Sequence, residues 1–221
     1  MLVAMRINDI AFTPAVQAIQ AERGSRAAYA KAHDWQQEID EELAAFLAAQ
    51  TSCFLATTNA RGQPYVQHRG GPPGFLRVLD AHTLAFADYR GNRQYITLGN
   101  LAENPKVHLL LIDHARGTRI KIWGEAQVVA PPADDKRAEQ TIVIRVIAWD
   151  VNCPRYIPRL VDAGMVARVL AERDATIAER DAQLAERDAR IAAQHARIAA
   201  LEAELAHLRD ATSPRARTGT A

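Results

Sequence analysis

Apolar positions change their spacing twice along the chain. Up to about residue 50 they recur at helical intervals. Thr13 followed by Pro14 is a helix start, a hydroxyl cap and then a proline at the first helical position. The helix continues through "AVQAIQAE" to Gly24, and "SRAAYAKA" resumes it. Asp34 is expected to cap a further helix, "WQQEIDEELAAFLAAQ". Ile39, Leu43, Phe46 and Leu47 fall on one face of it and need a surface to cover.

From about 51 to 150 the spacing drops to two. "CFLATT" reads as a strand, "NARG" as a turn, and "QPYVQHR" as a strand in which Tyr65 and Gln67 alternate with Val66 and His68. "FLRVLD" and "TLAFAD" are further strands. "YITLGNLAENP" is a short helix closed by Pro105. "KVHLLLID" and "RIKIWGEAQVV" are strands joined by "HARG". A helix-like start at "APPADDKRAE" precedes the last apolar run, "TIVIRVIAWD". Six or more strands joined mostly by tight turns predict an antiparallel barrel. "HLLLI" is apolar on both faces, so its outer face needs cover from the helices or from another subunit.

From about 165 to 209 the period becomes seven. Leu170, Ile177, Leu184, Ile191, Ile198 and Leu205 recur every seventh residue within the internal repeat "LAERDATIAERDAQLAERDARIA". That predicts a coiled coil about 65 Å long, engaging either another copy or a different protein. The second seam position falls on Arg173, Arg180 and Arg187. Only Ile198, Leu201, Leu205 and Leu208 complete a paired seam. A lone charged helix, helped by pairs such as Glu186 with Arg190, is the other reading. Residues 210–221, "ATSPRARTGTA" with the preceding Asp210, are expected to form a disordered tail. The expected division is a helical segment at 1–50, a barrel at 51–160, the coiled-coil helix at 165–209 and the tail at 210–221.

Composition narrows the classes. Formal net charge is +1, so no global field draws the chain to nucleic acid or a lipid surface. No apolar run approaches the ~20 residues of a membrane span, and the start lacks the pattern of a secretion signal. Cys53 lies among strand formers and reads as a buried, inert thiol. Cys153 lies near a loop. Their separation fits no metal-ligand spacing, and a reducing, cytoplasmic setting is the default.

The candidate chemistry sits at the strand ends. Arg69 closes one strand and Asp88 another. "RGNRQ" places Gly91, Asn92, Arg93 and Gln94 immediately before a helix. Arg119 and Lys121, two apart, share one face of a later strand. A Gly-Asn loop opening a helix offers free backbone N–H groups and the positive end of the helix dipole, the outline of an anion site. Singly, each arginine reads as a solvated surface charge and "GN" as a turn. Their coincidence in about fifty residues of a neutral protein is what points to a ligand. "HRGGPPG" adds a backbone bare of side chains and pinned by two prolines, which a flat ligand can approach closely.

The runs "PYVQHRGGPPGFLRVLD", "TLAFADYRGNRQYITLGNLAENPKVHLLLID", "RIKIWGEAQVV" and "AWDVNCP", from about 43 to 155, resemble the flavin-nucleotide-binding branch of the pyridoxamine 5'-phosphate oxidase-like group. The opening "FTPAVQAIQAERGSRAAYAK" is similar to the helical start of one bacterial branch of it. The resemblance implies an α+β fold: an antiparallel split β-barrel with N-terminal helices, here extended by the coiled-coil helix. It implies a homodimer with FMN between subunits. Arg69, Gly70 and Gly71 would lie against the ribityl phosphate, and Ala87 and Asp88 along the isoalloxazine. Asn92, Arg93 and Gln94 would hold phosphate and Arg119 would approach the flavin ring, with Gly91 and Lys121 as further cofactor-binding positions. Gly74 and Gln94 replace lysines of the oxidase, and its substrate-contacting C-terminal stretch has no counterpart here. Those departures argue against pyridoxamine phosphate oxidation itself. Three functions follow: an FMN-dependent oxidoreductase of unidentified substrate, a non-catalytic flavin-binding module or redox sensor tethered by its coil, and a scaffold with no cofactor. His68 is a candidate proton donor in the first and a structural hydrogen-bonding group otherwise.

Overall fold

The computed structural model describes residues 6–152 and 154–212. Cys153 and the tail beyond 212 lie outside the described residues. The chain divides into two units, one ending at Leu160 and one beginning at Val161.

In the first unit, α1 (Pro14–Glu22) starts where Thr13 and Pro14 place it, with the Thr13 hydroxyl accepting from the Val16 amide. α2 (Arg26–Lys31) follows. The next helix departs from expectation. α3 (Glu41–Ala49) begins at Asp40, whose carboxylate accepts from the Leu43 amide at 2.8 Å, and not at Asp34. Residues 35–39 are held extended instead. Gln36 bridges Trp149, the Trp149 indole donates to the Glu38 carbonyl at 2.8 Å, and the Ile39 amide donates to Ala81. These non-local bonds outcompete local helix propensity. Only the last turns of the expected helix therefore carry its apolar face. Leu43, Phe46 and Leu47 enter the core from there.

Seven strands make one antiparallel sheet: β1 (Ser52–Thr58), β2 (Pro64–Gly70), β3 (Arg77–Asp80), β4 (Thr83–Tyr89), β5 (Lys106–Asp113), β6 (Thr118–Val129) and β7 (Ala138–Asn152). Their order is β2-β1-β5-β6-β7-β4-β3. Alternation sends Leu55, Leu84, Phe86, Leu109, Leu111, Ile122, Ile142 and Ile144 inward, each at most 2% exposed. α4 (Ile96–Glu103) packs on β1, β2 and β6 and contributes Leu101 to the core. The buried Asn100 amide donates to Thr57 at 2.9 Å, satisfying a polar pair inside. The expected helix-like start near "APPADDKRAE" is a set of turns. Its backbone bonds run locally, Asp135 to Pro132 and Ala138 to Asp135.

Outside the barrel, β5 and β6 present His108 against the edge of Trp123, with ring centroids 5.0 Å apart, while Lys121 lies over the Trp35 and Trp123 rings. Burial, with a smaller contribution from Lys121, pushes the His108 pKa below its ordinary 6.5. The unfolded chain then binds more protons than the folded one in the window beneath 6.5. Stability from this group is complete above that value and is lost as pH falls through the folded pKa. His108→Gln should therefore flatten the fall in melting temperature between about pH 7 and pH 5. An unchanged pH profile would exclude His108 as a source of the acid sensitivity.

The second unit holds α5 (Ala163–Thr212), started by the Asp162 carboxylate accepting from the Met165 amide at 2.7 Å. α5 runs three residues past the expected end at 209, since no glycine or proline stops it before Pro214. Among the described residues no helix is long and apolar enough to cross a membrane.

Candidate functional site

β2 and β4 belong to opposite halves of the sheet order, and no ladder joins them. A side-chain pair spans the gap. Alternation on β2 turns Tyr65, Gln67 and Arg69 inward, and on β4 it turns Phe86 and Asp88 inward. The Arg69 guanidinium donates to the Asp88 carboxylate at 2.5 Å, and the Gln140 amide of β7 donates to its other oxygen at 2.7 Å. Both ionised groups are largely withdrawn from water, with side chains 19% and 9% exposed. Arg69 also lies 5.9 Å from the centroid of the Phe86 ring.

Two clefts flank this pair. The larger, 410 Å³, runs along Arg69, Gly70 and Gly71, the Pro72–Pro73 turn, and Phe86, Ala87 and Asp88. The smaller, 230 Å³, lies between Tyr65, Gln67 and the loop Gly91, Asn92, Arg93 and Gln94, with Thr97 at its floor. Arg69, Asp88 and Tyr89 line both. Nine of the eleven sequence-derived site residues thus border the two clefts. Arg119 and Lys121 border neither. They stand on β6, where Arg119 pairs with Ile112 and Asn152 in the ladders, and Lys121 is 3.5 Å from Asp150.

The smaller cleft has the physical character of an anion site. The α4 N-terminus carries no side-chain cap. Its cap residue, Tyr95, has φ 55°, and Arg93 has φ 63°. Two non-glycine residues in the left-handed region within three positions store strain of roughly 1–3 kcal/mol each, an arrangement concentrated at ligand clamps. The positive end of the α4 dipole and Arg93, which donates to the Tyr95 hydroxyl at 3.3 Å, border it. Gly91 has open space where a side chain would stand.

Two of the three glycines of the larger cleft, Gly71 and Gly74, serve different ends. A Cβ on Gly71 would meet the Phe75 Cβ at 2.7 Å, so Gly71 is required by the fold of the turn. Gly74, at φ 86°, has nothing within 4 Å of that position. His68 is exposed on the cleft rim and packs edge-on against Phe54 with centroids 5.8 Å apart. Cys53, beside Arg69 in the β1–β2 register, is buried, and burial pushes its thiol up to about 12 against the opposing pull of Arg69. It is inert at neutral pH.

Several residues that line the clefts or brace their walls escaped the strand-end logic. Tyr89 donates to the Asp135 carboxylate at 2.6 Å, and this bond raises the Tyr89 pKa and lowers that of Asp135. Asp135 lies in the segment read as helix-like, so nothing local pointed to it. Gln140 holds Asp88 from β7, 52 residues away in sequence. Tyr65 and Gln67 were read only as strand positions alternating with Val66 and His68; sharing a face with Arg69 is the signal that could have found them.

An open seam between two halves of one antiparallel sheet, flanked by two clefts, defines a split-barrel protein. A sequence model of the pyridoxamine 5'-phosphate oxidase family matches residues 39–207, and the chain belongs to that family. Among curated proteins none matches it. Solved structures similar to it include a putative pyridoxamine 5'-phosphate oxidase from Lactobacillus delbrueckii, 20% identical over 52% of this chain and 95% of that one, with TM-score 0.42. HupZ of Group A Streptococcus is 16% identical over 55% and 99%, with TM-score 0.42. HutZ, the haem storage protein of Vibrio cholerae, is 16% identical over 51% and 94%, with TM-score 0.35.

Proposed function

We propose that the protein is an FMN-binding flavoprotein that works as a homodimer, and that it is an FMN-dependent oxidoreductase acting on a small molecule. The observation that carries this reading is the Arg69 position. Its guanidinium lies at the junction of the two clefts, and its Nε is buried with no hydrogen-bond partner among the described residues. Such a group fits an anionic ligand running from one cleft to the other.

In this reading Gly91, Asn92, Arg93 and Gln94 with the α4 N-terminus hold the phosphate. Gly70, Gly71, Ala87 and Asp88 border the flat ring. Arg119 and Lys121 belong to the site through the partner subunit. FMN, when bound, supplies the redox chemistry. The chain binds, orients and screens it from water. Lys121 is already engaged by Asp150 and two indole rings, so its contribution is positional. Gln94 and Gly74, standing where the oxidase has lysines, favour a second reading in which the bound flavin is sensed and not turned over.

Titration of FMN into the cofactor-free full chain, followed by flavin fluorescence, tests the phosphate assignment. Arg93→Ala should weaken binding about ten- to a hundredfold, the scale of one charge-assisted hydrogen bond. Unchanged affinity removes Arg93 from the site. Oxidation of a reduced nicotinamide by the loaded protein separates the enzyme from the sensing module.

A further inference from the structure

α5 is 50 residues long, and its apolar stripe is exposed along the helix. The Leu/Ile column from Leu170 to Leu205, together with Leu201 and Leu208, is 41–55% exposed at every position. A stripe repeating every seven residues curves around a straight helix unless a second helix supercoils with it. The question is what second helix the charges permit.

We propose that α5 pairs with α5 of a second copy of this chain as a parallel, in-register, two-stranded coiled coil. With the Leu/Ile column at the first seam position, the second falls on Arg173, Arg180 and Arg187, and then on Gln194, Leu201 and Leu208. In a parallel pair, a residue at the second seam position packs beside the next residue of the facing helix. Arg173 then meets the partner's Asp174, Arg180 the partner's Asp181, and Arg187 the partner's Asp188. Each layer supplies its own carboxylates. The flanking positions agree farther along. Residues five apart across a parallel pair approach each other, which sets Arg197 against the partner's Glu202 and Glu204 against the partner's Arg209.

Reversing one helix destroys this match. Arg173, Arg180 and Arg187 would then face Leu205, Ile198 and Ile191, burying guanidinium against aliphatic surface; the flanking residue is Glu204 in the first layer but Arg197 and Arg190 in the other two, where like charges meet. In register, the Leu201 and Leu208 layers lock the C-terminal half while the Arg–Asp layers fix alignment in the N-terminal half. Two strands suit those arginines. Their stems cover the neighbouring Leu/Ile layers while the guanidinium heads reach water at the seam edge.

The test uses the full chain with Cys153→Ser, leaving buried Cys53 as the only other thiol. Leu170→Cys and Leu205→Cys variants are oxidised separately with copper–phenanthroline. A parallel in-register pair gives a covalent dimer from each variant alone. An antiparallel pair holds like positions about 50 Å apart and cross-links only when the two variants are mixed. A solitary helix gives neither. Adding Asp174→Arg, Asp181→Arg and Asp188→Arg to the Leu170→Cys chain should cut the yield about tenfold by like-charge repulsion. Co-expression with a chain carrying Arg173→Asp, Arg180→Asp and Arg187→Asp plus Leu170→Cys should restore it as a mixed dimer identified by mass. Silence of either single-cysteine variant, or a yield indifferent to the charge changes, overturns the proposal. The second result would mean that the helices merely collide.

Discussion

Replacing Asp88 by alanine is expected to destabilise the folded protein by about 3 kcal/mol, measured by urea unfolding. The cause is what remains behind. Arg69 keeps its charge in a position only 19% exposed, with its Nε already unpartnered among the described residues. Gln140 loses its acceptor as well. Removing one member of a withdrawn ion pair costs far more than the pair contributes when intact, because the surviving charge has surrendered its water. Asp88→Asn should cost less, since an amide oxygen still accepts from one donor. The two variants together separate lost charge from lost hydrogen bonding. A change below about 0.5 kcal/mol for the alanine variant would place it with ordinary surface substitutions and contradict the role of this pair in closing the seam.

Phe86→Ala carries the other large effect, about 3–5 kcal/mol of stability. The ring is 2% exposed, sits between Leu84 and Asp88 on the inward face of β4, and also borders the larger cleft. Its removal leaves a void that the closely hydrogen-bonded β4–β7 ladder cannot collapse to fill. It also strips Arg69 of the aromatic surface beneath it. Phe86→Leu retains most of the volume and should recover much of the loss. If alanine and leucine variants unfold at the same denaturant concentration, cavity formation is not the source of the effect.

The strand period was legible in the sequence where one helix boundary was not. Period two was local and robust, because burial of one strand face needs only the next residue but one. Leu84, Phe86, Leu109, Leu111, Ile142 and Ile144 entered the core as their alternation requires. The start of α3 was not readable. Asp34 and Asp40 are both competent caps, and the choice between them is made by Trp149, more than a hundred residues away, through its bonds to Gln36 and Glu38. The turns at 131–137 failed as a helix for a related reason. They are placed by the β6–β7 connection, and Asp135 finds its partner in Tyr89 on another strand.

The candidate site shows the same division. Glycine, asparagine and arginine before a helix are a local signal, and the loop at 91–94 lines a cleft as that signal implies. The contact that organises the site is not local. Arg69 and Asp88 come from opposite halves of the sheet order, and nothing in either residue's neighbourhood encodes their meeting. Arg119 and Lys121 share a strand face as their spacing requires, but that face borders neither cleft within one chain.

Denaturation of the purified chain, with any small molecule released identified by absorbance and mass, tests the assignment of the seam most directly. The expected result is yellow protein yielding FMN in molar amount equal to the chain, and loss of that FMN from Arg93→Ala during purification. Colourless protein that neither carries FMN nor takes it up when supplied would contradict the assignment of the two clefts to a flavin.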